Sequence, residues 1–352
     1  MKKKVMVAMS GGVDSSVVAH LIKDSGYDCI GTMMNLIYKG ADTSADNCII
    51  PDINDARKVA STLHIPFSVL DFTDVFHRNV VCPFVASYLA GQTPNPCVQC
   101  NKHIKFSALL DAALGVGCEY LATGHYARVE FDEKNGRYLV KRAIDVNKDQ
   151  SYVLYNLKQS QLAHILLPLG VYSKPMIRQI ASDNGLVTAH KSDSQDICFI
   201  KGEKYSQFIS RNVGALKGNF VDASGNILGQ HNGIANYTVG QRKGLGISCG
   251  VPLFVIKINR NDNTIVLGTE DQLLNNTLIA KDINLISCDY INDEMRVTAK
   301  IRYKHKEQLA TVIQLDDNTL KVVFDEPQKA ITPGQSVVLY DGDVLVGGGI
   351  IQ

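Results

Sequence analysis

Residues 4–9 form an apolar run that ends on Ser10-Gly11-Gly12-Val13-Asp14-Ser15-Ser16, and residues 15–23 then take up helical spacing. A short buried strand, a glycine turn and a helix in direct succession restrict a chain to few folds. Such a turn presents backbone N–H groups at a helix N-terminus, where glycines let an anion come close. Ser10, Ser15 and Ser16 add hydroxyl donors. Asp14 would repel a phosphate, so its expected work is to cap the helix or to hold magnesium. The string is neither a Walker loop nor a dinucleotide fingerprint. A plain glycine turn with Ser/Asp capping is the alternative. A chance match to the fixed positions of SGGxDS is roughly one in two thousand at average composition, which favours the anion-binding reading.

Beyond the turn, strand and helix alternate. Strands are expected at 29–34, 67–70 and 119–123, and a helix at 54–63. Phe106, Leu109, Leu110, Ala113 and Leu114 fall at i, i+3, i+4, i+7 and i+8, one face of a further helix. The pattern predicts an α/β domain with a parallel sheet, whose ligands bind at the carboxyl ends of the strands. After about residue 205 long helical periods vanish. Runs at 295–303, 310–314, 320–324, 336–340 and 344–350 predict a small antiparallel barrel or sandwich. Boundaries are therefore expected near 205 and 275, giving segments 1–205, 206–275 and 276–352.

Lys+Arg 36 against Asp+Glu 35 leaves a net charge of +1, so any nucleic-acid surface must be local. No run of about 18 apolar residues predicts a membrane span. The start, MKKKVMVAMSGG, has too short an apolar stretch for a signal peptide, and a cytoplasmic location is expected.

Nine cysteines, an odd count in a long chain, argue against a disulfide scaffold. Cys29, Cys82, Cys118, Cys249 and Cys288 read as small buried hydrophobes. Cys48 stands alone in a polar stretch and is left open. Cys97 and Cys100 lie in Thr93-Pro94-Asn95-Pro96-Cys97-Val98-Gln99-Cys100-Asn101-Lys102, which leads into the helix around Phe106. Cys100 at a helix start, beside Lys102, His103 and Lys105, is expected to have a lowered thiol pKa and to act as a nucleophile. A zinc site from Cys97, Cys100, His103 and Cys198 is the alternative. Cys198, in Asp193-Ser194-Gln195-Asp196-Ile197-Cys198-Phe199, gains meaning only beside the other two segments.

SGGVDSS (10–16), GTMMN (31–35), TPNPCVQCNKHIKF (93–106), ATGHYAR (122–128), KDQSY (148–152), DSQDICF (193–199), YTVGQRKGLG (237–246) and RY (302–303) together resemble the tRNA-specific 2-thiouridylase family, essentially end to end. That family belongs to the ATP pyrophosphatase superfamily. The resemblance implies an adenine nucleotide α-hydrolase-like catalytic domain, a small central domain that contacts tRNA and a C-terminal β-barrel. It implies a tRNA-uridine 2-sulfurtransferase that adenylates the 2-oxygen of the wobble uridine and then delivers sulfur. Cys100 becomes the nucleophile and Cys198 the persulfide carrier, joined transiently as a disulfide. Ala8, Met9, Ser10, Gly11, Gly12, Val13, Asp14, Ser15, Met34 and Gly124 would hold ATP with magnesium. Asn95, Pro96, Cys97, His125, Lys148, Asp149, Gln150, Arg302, Tyr303 and Gln335 would touch tRNA. The implied partners are tRNAs with Lys, Glu and Gln acceptor identity and a cysteine desulfurase or sulfur-relay protein.

One position departs from the resemblance. Many members have Asp where this chain has Cys97. A thiol serves poorly as an acid or base at neutral pH, so that role is put in question. The change also leaves Cys97, Cys100 and Cys198 as a set that could ligate an iron–sulfur cluster. The persulfide route is preferred. The rival function is a pyrophosphatase-type ligase on a small molecule, akin to argininosuccinate synthetase, and a third reading is a non-catalytic nucleotide-binding RNA module.

Two cationic features favour RNA without the resemblance. Arg296, Lys300, Arg302, Lys304 and Lys306 are all at even positions and share one face of a strand of period two. Gln241-Arg242-Lys243-Gly244 is a smaller cationic turn.

Overall fold

Strand β1 (Lys4–Ala8) is the centre of a five-stranded sheet in the computed structural model, which describes residues 2–36, 52–192, 197–200, 205–213 and 216–352. Its neighbours are β2 (Asp28–Asn35), β3 (Phe67–Asp71), β4 (Tyr120–Ala122) and, after the hairpin β5 (Ala127–Asp132) and β6 (Arg137–Arg142), β7 (Ile165–Leu166). The order is β3-β2-β1-β4-β7, and all four pairings are parallel. Val5, Met6 and Val7 are all buried, as a central parallel strand covered on both faces requires. Helices α1 (Val13–Asp24) and α2 (Ile53–Thr62) pack Val17, Val18, Val59 and Ala60 into the same core. The α/β expectation is met strand for strand, with bounds that differ by a residue or two. Cys48 and residues 193–196 lie outside the described residues.

The chain divides into two compact units. The first holds residues 1–80, 97–199 and 343–345. The second holds 81–96, 200–342 and 346–352.

Within the second unit, β8 (Gly218–Val221), β9 (Ile227–His231), β10 (Phe254–Asn259) and β11 (Thr264–Gly268) form a four-stranded sheet in the order β10-β11-β8-β9. Phe220, Val255, Ile265 and Leu267 fill its core. The remaining strands are β12 (Leu274–Leu285), β13 (Glu294–Lys300), β14 (Gln308–Asp316), β15 (Thr319–Lys329), β16 (Ser336–Asp341) and β17 (Val344–Ile351). They run β12-β15-β14-β13-β16-β17, and β12 also pairs with β17. That last pairing closes the sheet into a six-stranded antiparallel barrel around Val297, Ala310, Val312, Leu320, Val322 and Leu339.

Three expectations fail here for identifiable reasons. Helical structure does not vanish at 205: Tyr205–Val213 is a helix that buries Phe208 and Ile209, and its Tyr205 stacks on Tyr88 with ring centroids 5.3 Å apart. The five-cation row is not one strand face. β13 ends at Lys300, and 301–305 are bends and turns. Arg302 is drawn inward, where Nη2 donates to the Ala330 and Val239 carbonyls at 2.7 and 3.3 Å and to Thr332 Oγ1. Arg296 is held by Asp325 at 2.8 and 2.7 Å. Guanidinium donors this well placed find acceptors in the protein rather than stand in a phosphate row. Third, Cys29 and Cys118 are buried as expected, but Cys82 and Cys249 are exposed and Cys288 is half-buried.

Candidate active site

The glycine loop is built as the sequence suggests, but its polar side chains are used differently. Gly12 precedes α1 in extended backbone, and no side chain caps the helix. Ser15 Oγ and Ser16 Oγ both donate to the Gly12 carbonyl, at 3.1 and 2.9 Å. Ser10 N donates to Ser15 Oγ at 3.1 Å. The hydroxyls therefore brace the turn from within. Asp14 is neither cap nor bare carboxylate. Lys174 Nζ donates to both of its oxygens, at 2.7 and 2.9 Å, and Tyr126 Oη donates to Oδ1 at 2.7 Å. Lys174 is only 8% exposed and belongs to the helix Lys174–Asp183. The expected capping role of Asp14 is thus corrected: its charge is met by a buried lysine.

Gly11 needs to be glycine twice over. Its φ is +75°, and a Cβ there would stand 2.4 Å from the Asp52 carbonyl oxygen. A Cβ on Gly12 would meet nothing closer than Ser10 Oγ at 3.5 Å. Gly11→Ala is therefore expected to cost about 3 kcal/mol of stability. Gly12→Val is expected to fold normally and lose ATP affinity, because its side chain grows into the space before the helix. Urea titration and equilibrium ATP binding of the two variants check this. On the far side of the turn, Lys191 Nζ donates to the Gly11 carbonyl at 2.9 Å, to Asp52 at 2.6 Å and to Asp55 at 2.8 Å. These bonds offset the cost of burial and raise the lysine's pKa, while Lys191 lowers that of Asp55. Gly124 abuts the loop: a Cβ there would lie 3.3 Å from Asp14 Cβ and from Ser15 N. Ala8 and Met34 are half-buried at the ends of β1 and β2, and Met9 and Val13 are buried beside them.

The cysteine segment contradicts one expectation. Cys100 closes a five-residue helix, Pro96–Cys100, and a π-helix, Asn101–Ala108, follows without a break. The thiol is 8% exposed, and burial pushes its pKa up to about 12. Lys105 acts in the opposite sense, while negative charge on Cys198 or Cys97 would add to the burial. Helix-start and cation effects do not outweigh desolvation here. Cys97 and Cys198 are exposed. Phe199, next to Cys198, packs edge-on against the buried Phe76 with centroids 5.6 Å apart. All three cysteines lie in the first unit, and each of the outer two is near enough for its charge to be felt at Cys100. Among the described residues, however, no three His, Cys, Asp or Glu side chains gather as a metal-ligand set.

His125, three residues past β4, is a buried group. Its Nδ1 lies 2.7 Å from Thr123 Oγ1, and its Nε2 lies 3.3 Å from Lys105 Nζ. Burial, then Lys105, holds its pKa well below the usual histidine value. A depressed folded-state pKa means that below about pH 6.5 the unfolded chain binds a proton that the folded chain refuses. Stability should therefore fall with pH from about 6.5 downward, by up to about 1.4 kcal/mol per pH unit from this residue. Urea midpoints of the parent and His125→Phe across that range, with the slope shallower in the variant, check it.

The other expected tRNA contacts divide between the units. In the first, Asp149 accepts from Ala143 N at 3.0 Å and from Ser151 Oγ at 2.8 Å, and Gln150 Oε1 accepts from Tyr126 N at 3.0 Å; Lys148 is half-buried beside them. In the second, Gln335 Nε2 donates to the Thr93 carbonyl at 2.6 Å, close in sequence to Asn95 and Pro96. Arg302 and Tyr303 sit in the turn after β13. Arg242 and Lys243 are exposed. Lys174, Tyr126, Lys191 and Thr123 are the site residues that sequence reasoning missed. Lys174 is 160 residues from Asp14, and no local pattern links them.

Three family models match the chain: a "tRNA methyl transferase HUP domain" over 3–202, a "tRNA methyl transferase PRC-barrel domain" over 206–269 and an "Aminomethyltransferase beta-barrel domain" over 275–351. Among curated proteins, the "tRNA-specific 2-thiouridylase MnmA" of Clostridioides difficile is 52% identical over 100% of this chain and 99% of its own. Those of Acetivibrio thermocellus and Clostridium botulinum are 49% and 50% identical, each over 100% of this chain and at least 98% of their own.

Proposed function

The chain belongs to the tRNA-specific 2-thiouridylase family, and from that premise we propose that it is an ATP-dependent tRNA-uridine 2-sulfurtransferase acting on the wobble uridine. The observation that carries the reading is that one unit holds both the braced SGGVDSS loop and Cys100 and Cys198, the two thiols near enough for one to feel the other's charge. ATP would lie against Ala8, Met9, Ser10, Gly11, Gly12, Val13, Asp14 and Ser15, with Met34 and Gly124 beside the adenosine. The backbone N–H groups that open α1 suit an anion, and Lys174 offsets the charge of Asp14 next to it.

The chemistry proceeds in two stages in this reading. The uridine 2-oxygen attacks the α-phosphorus of ATP and pyrophosphate leaves, which converts the oxygen into a good leaving group. The terminal sulfur of a Cys198 persulfide then attacks C2 and AMP leaves. Cys100 attacks Cys198 Sγ, and the sulfur–sulfur bond breaks with its electron pair on the sulfur now held by the base. The Cys100–Cys198 disulfide that results needs an external dithiol before the next turnover. The exposed Cys198 suits a group loaded by a separate donor, a cysteine desulfurase or relay protein. Asp14 is engaged by Lys174 and Tyr126, and the described residues build no cluster of metal ligands. Magnesium would come to the site chiefly on the ATP phosphates, and Asp14 reaches it only by sharing its carboxylate with Lys174.

Segments 1–205, 206–275 and 276–352 divide the labour as catalytic domain, central tRNA-contact domain and barrel. Asn95, Pro96, Cys97, Lys148, Asp149, Gln150, Tyr303 and Gln335 are the tRNA contacts proposed, for tRNAs with Lys, Glu and Gln identity; Arg302, drawn inward, and the buried His125 are engaged within the protein instead. No described helix is long and apolar enough to cross a membrane.

The test is incubation with unmodified tRNA, ATP, cysteine and a cysteine desulfurase, followed by nucleoside mass spectrometry. The expected result is 2-thiouridine together with tRNA-dependent pyrophosphate release. Pyrophosphate release driven by a small amine or amino acid without tRNA would instead indicate a ligase.

A further inference from the structure

Cys100 must lose a proton to attack, yet it is buried. The winding of the chain just after it offsets part of what burial withholds. In α-helix, residues five apart stand about 140° apart around the axis. Over Asn101–Ala108 the helix is π-wound, and the N–H of Leu109 donates to the Ile104 carbonyl five residues back. With hydrogen bonds of that reach, positions five apart come round to nearly the same side. Lys105 follows Cys100 by five. Its charge acts on the Cys100 sulfur, and Phe106 beside it packs against the His125 ring at a centroid distance of 5.4 Å.

His125 fixes where the ammonium points. An ammonium has donors and no lone pair, so Nε2 at 3.3 Å must accept from Lys105. Nδ1 then carries the imidazole proton and donates to Thr123 Oγ1 at 2.7 Å. The ring is neutral, buried, and locked in one tautomer by a partner on each side. A protonated ring would present a second positive charge to Lys105 and no acceptor. Among the described residues, the titratable and charged groups facing Cys100 electrostatically are Lys105, Cys97 and Cys198. Of these, Lys105 is the one that favours a thiolate.

We propose that Lys105, held by the neutral His125, is the positioning residue for the Cys100 sulfur, stabilising the negative charge that the sulfur must carry to attack Cys198. This rests on the role of Cys100 proposed above and extends it. The Cys100 thiol proton passes to water, the thiolate forms a bond to Cys198 Sγ, and the persulfide bond breaks with its pair on the departing sulfur. Lys105 neither gains nor loses a proton in the step. His125 then acts through Lys105 rather than on the reacting atoms.

The experiment reads the pH profile of Cys100 alkylation by iodoacetamide, resolved from the other cysteines by peptide mass spectrometry, on the full chain without ATP or tRNA. The midpoint, which burial places far on the alkaline side, is reached with brief pulses of reagent that end before alkaline unfolding; it is read rather than the rate, because a loosened site would raise the rate without moving the midpoint. Lys105→Met is expected to raise the midpoint by about one pH unit, a tenfold loss of thiolate at a given mildly alkaline pH. Lys105→Arg keeps the charge and is expected to restore it. His125→Phe keeps the ring packing on Phe106 but removes the acceptor, and should move the midpoint in the same direction by less. His125→Gln offers an acceptor again and should move it least.

An unmoved midpoint in Lys105→Met overturns the proposal. So does a shift that Lys105→Arg does not restore, since packing rather than charge would then be at stake. If Lys105→Met does not fold, His125→Phe decides: an unmoved midpoint there is equally fatal. Shifted midpoints in a protein that thiolates no tRNA would uphold the pairing and sink the functional reading instead.

Discussion

Cys198→Ser is expected to lower the rate of tRNA thiolation by more than about a thousandfold while leaving tRNA-dependent pyrophosphate release within a fewfold of the parent. In the proposed mechanism adenylation calls on the loop before α1 and on the uridine oxygen, and Cys198 belongs to neither. The side chain is exposed and the loss of its sulfur leaves no cavity, so stability should be unchanged. Radiolabelled pyrophosphate release and nucleoside mass spectrometry on the same samples separate the two stages. Thiolation at the parental rate would make Cys198 a bystander. Loss of both stages would place it in ATP or tRNA binding.

Lys174→Met is expected to lower stability by roughly 2–3 kcal/mol, because it strands the Asp14 carboxylate that Nζ now contacts at 2.7 and 2.9 Å. The figure is set below that for a fully buried pair because the Asp14 side chain retains 30% exposure. ATP affinity should fall as well, since an uncompensated carboxylate at the start of α1 repels phosphate. Lys174→Met with Asp14→Asn separates charge from contact. If compensation is the role of Lys174, the double variant recovers most of the stability and part of the affinity. If it recovers neither, Lys174 acts on something other than Asp14. Urea denaturation and calorimetric ATP titration supply both readings.

How far such features can be read from sequence depends on whether they are local. The strand, glycine turn and helix at the start lie within about twenty residues, and each is marked by its own chemistry: an apolar run, two glycines, then helical spacing. The parallel sheet emerges from repeating that pattern. The partners of Asp14 are different. Tyr126 and Lys174 come from 112 and 160 residues away, brought in by sheet order rather than by spacing. With neither partner visible in the local pattern, capping is the natural expectation for Asp14, and the structure corrects it.

Spacing misleads about Cys100 for another reason. The apolar positions after it fit an α-helix, and Leu109, Leu110 and Ala113 are indeed buried. The π-wound stretch leaves no mark in that pattern, except that Leu114 ends 38% exposed. Nor does spacing tell how deeply a cysteine lies, and depth outweighs the nearby cations. The cationic row past β13 misleads because alternation in the sequence continues after the strand has ended. It takes the Ala330 carbonyl and Thr332, met only in three dimensions, to show where Arg302 goes.

The pairing of β12 with β17 has a consequence for handling the molecule. A ring of strands offers no open row of N–H and C=O groups to a neighbour, so this barrel is protected against edge-to-edge polymerisation as long as it stays shut. The lock is a short one, made by Ala280 with Ile351, Lys281 with Ile350, Asn284 with Gly348 and Leu285 with Gly347. Trimming the chain before residue 346 would remove it and lay bare two long strand edges at once, one on β12 and one on β16. An affinity tag joined after Gln352 through a flexible spacer leaves the lock in place. Loss of these few terminal residues to a protease would turn a well-behaved protein into one that associates through its exposed edges.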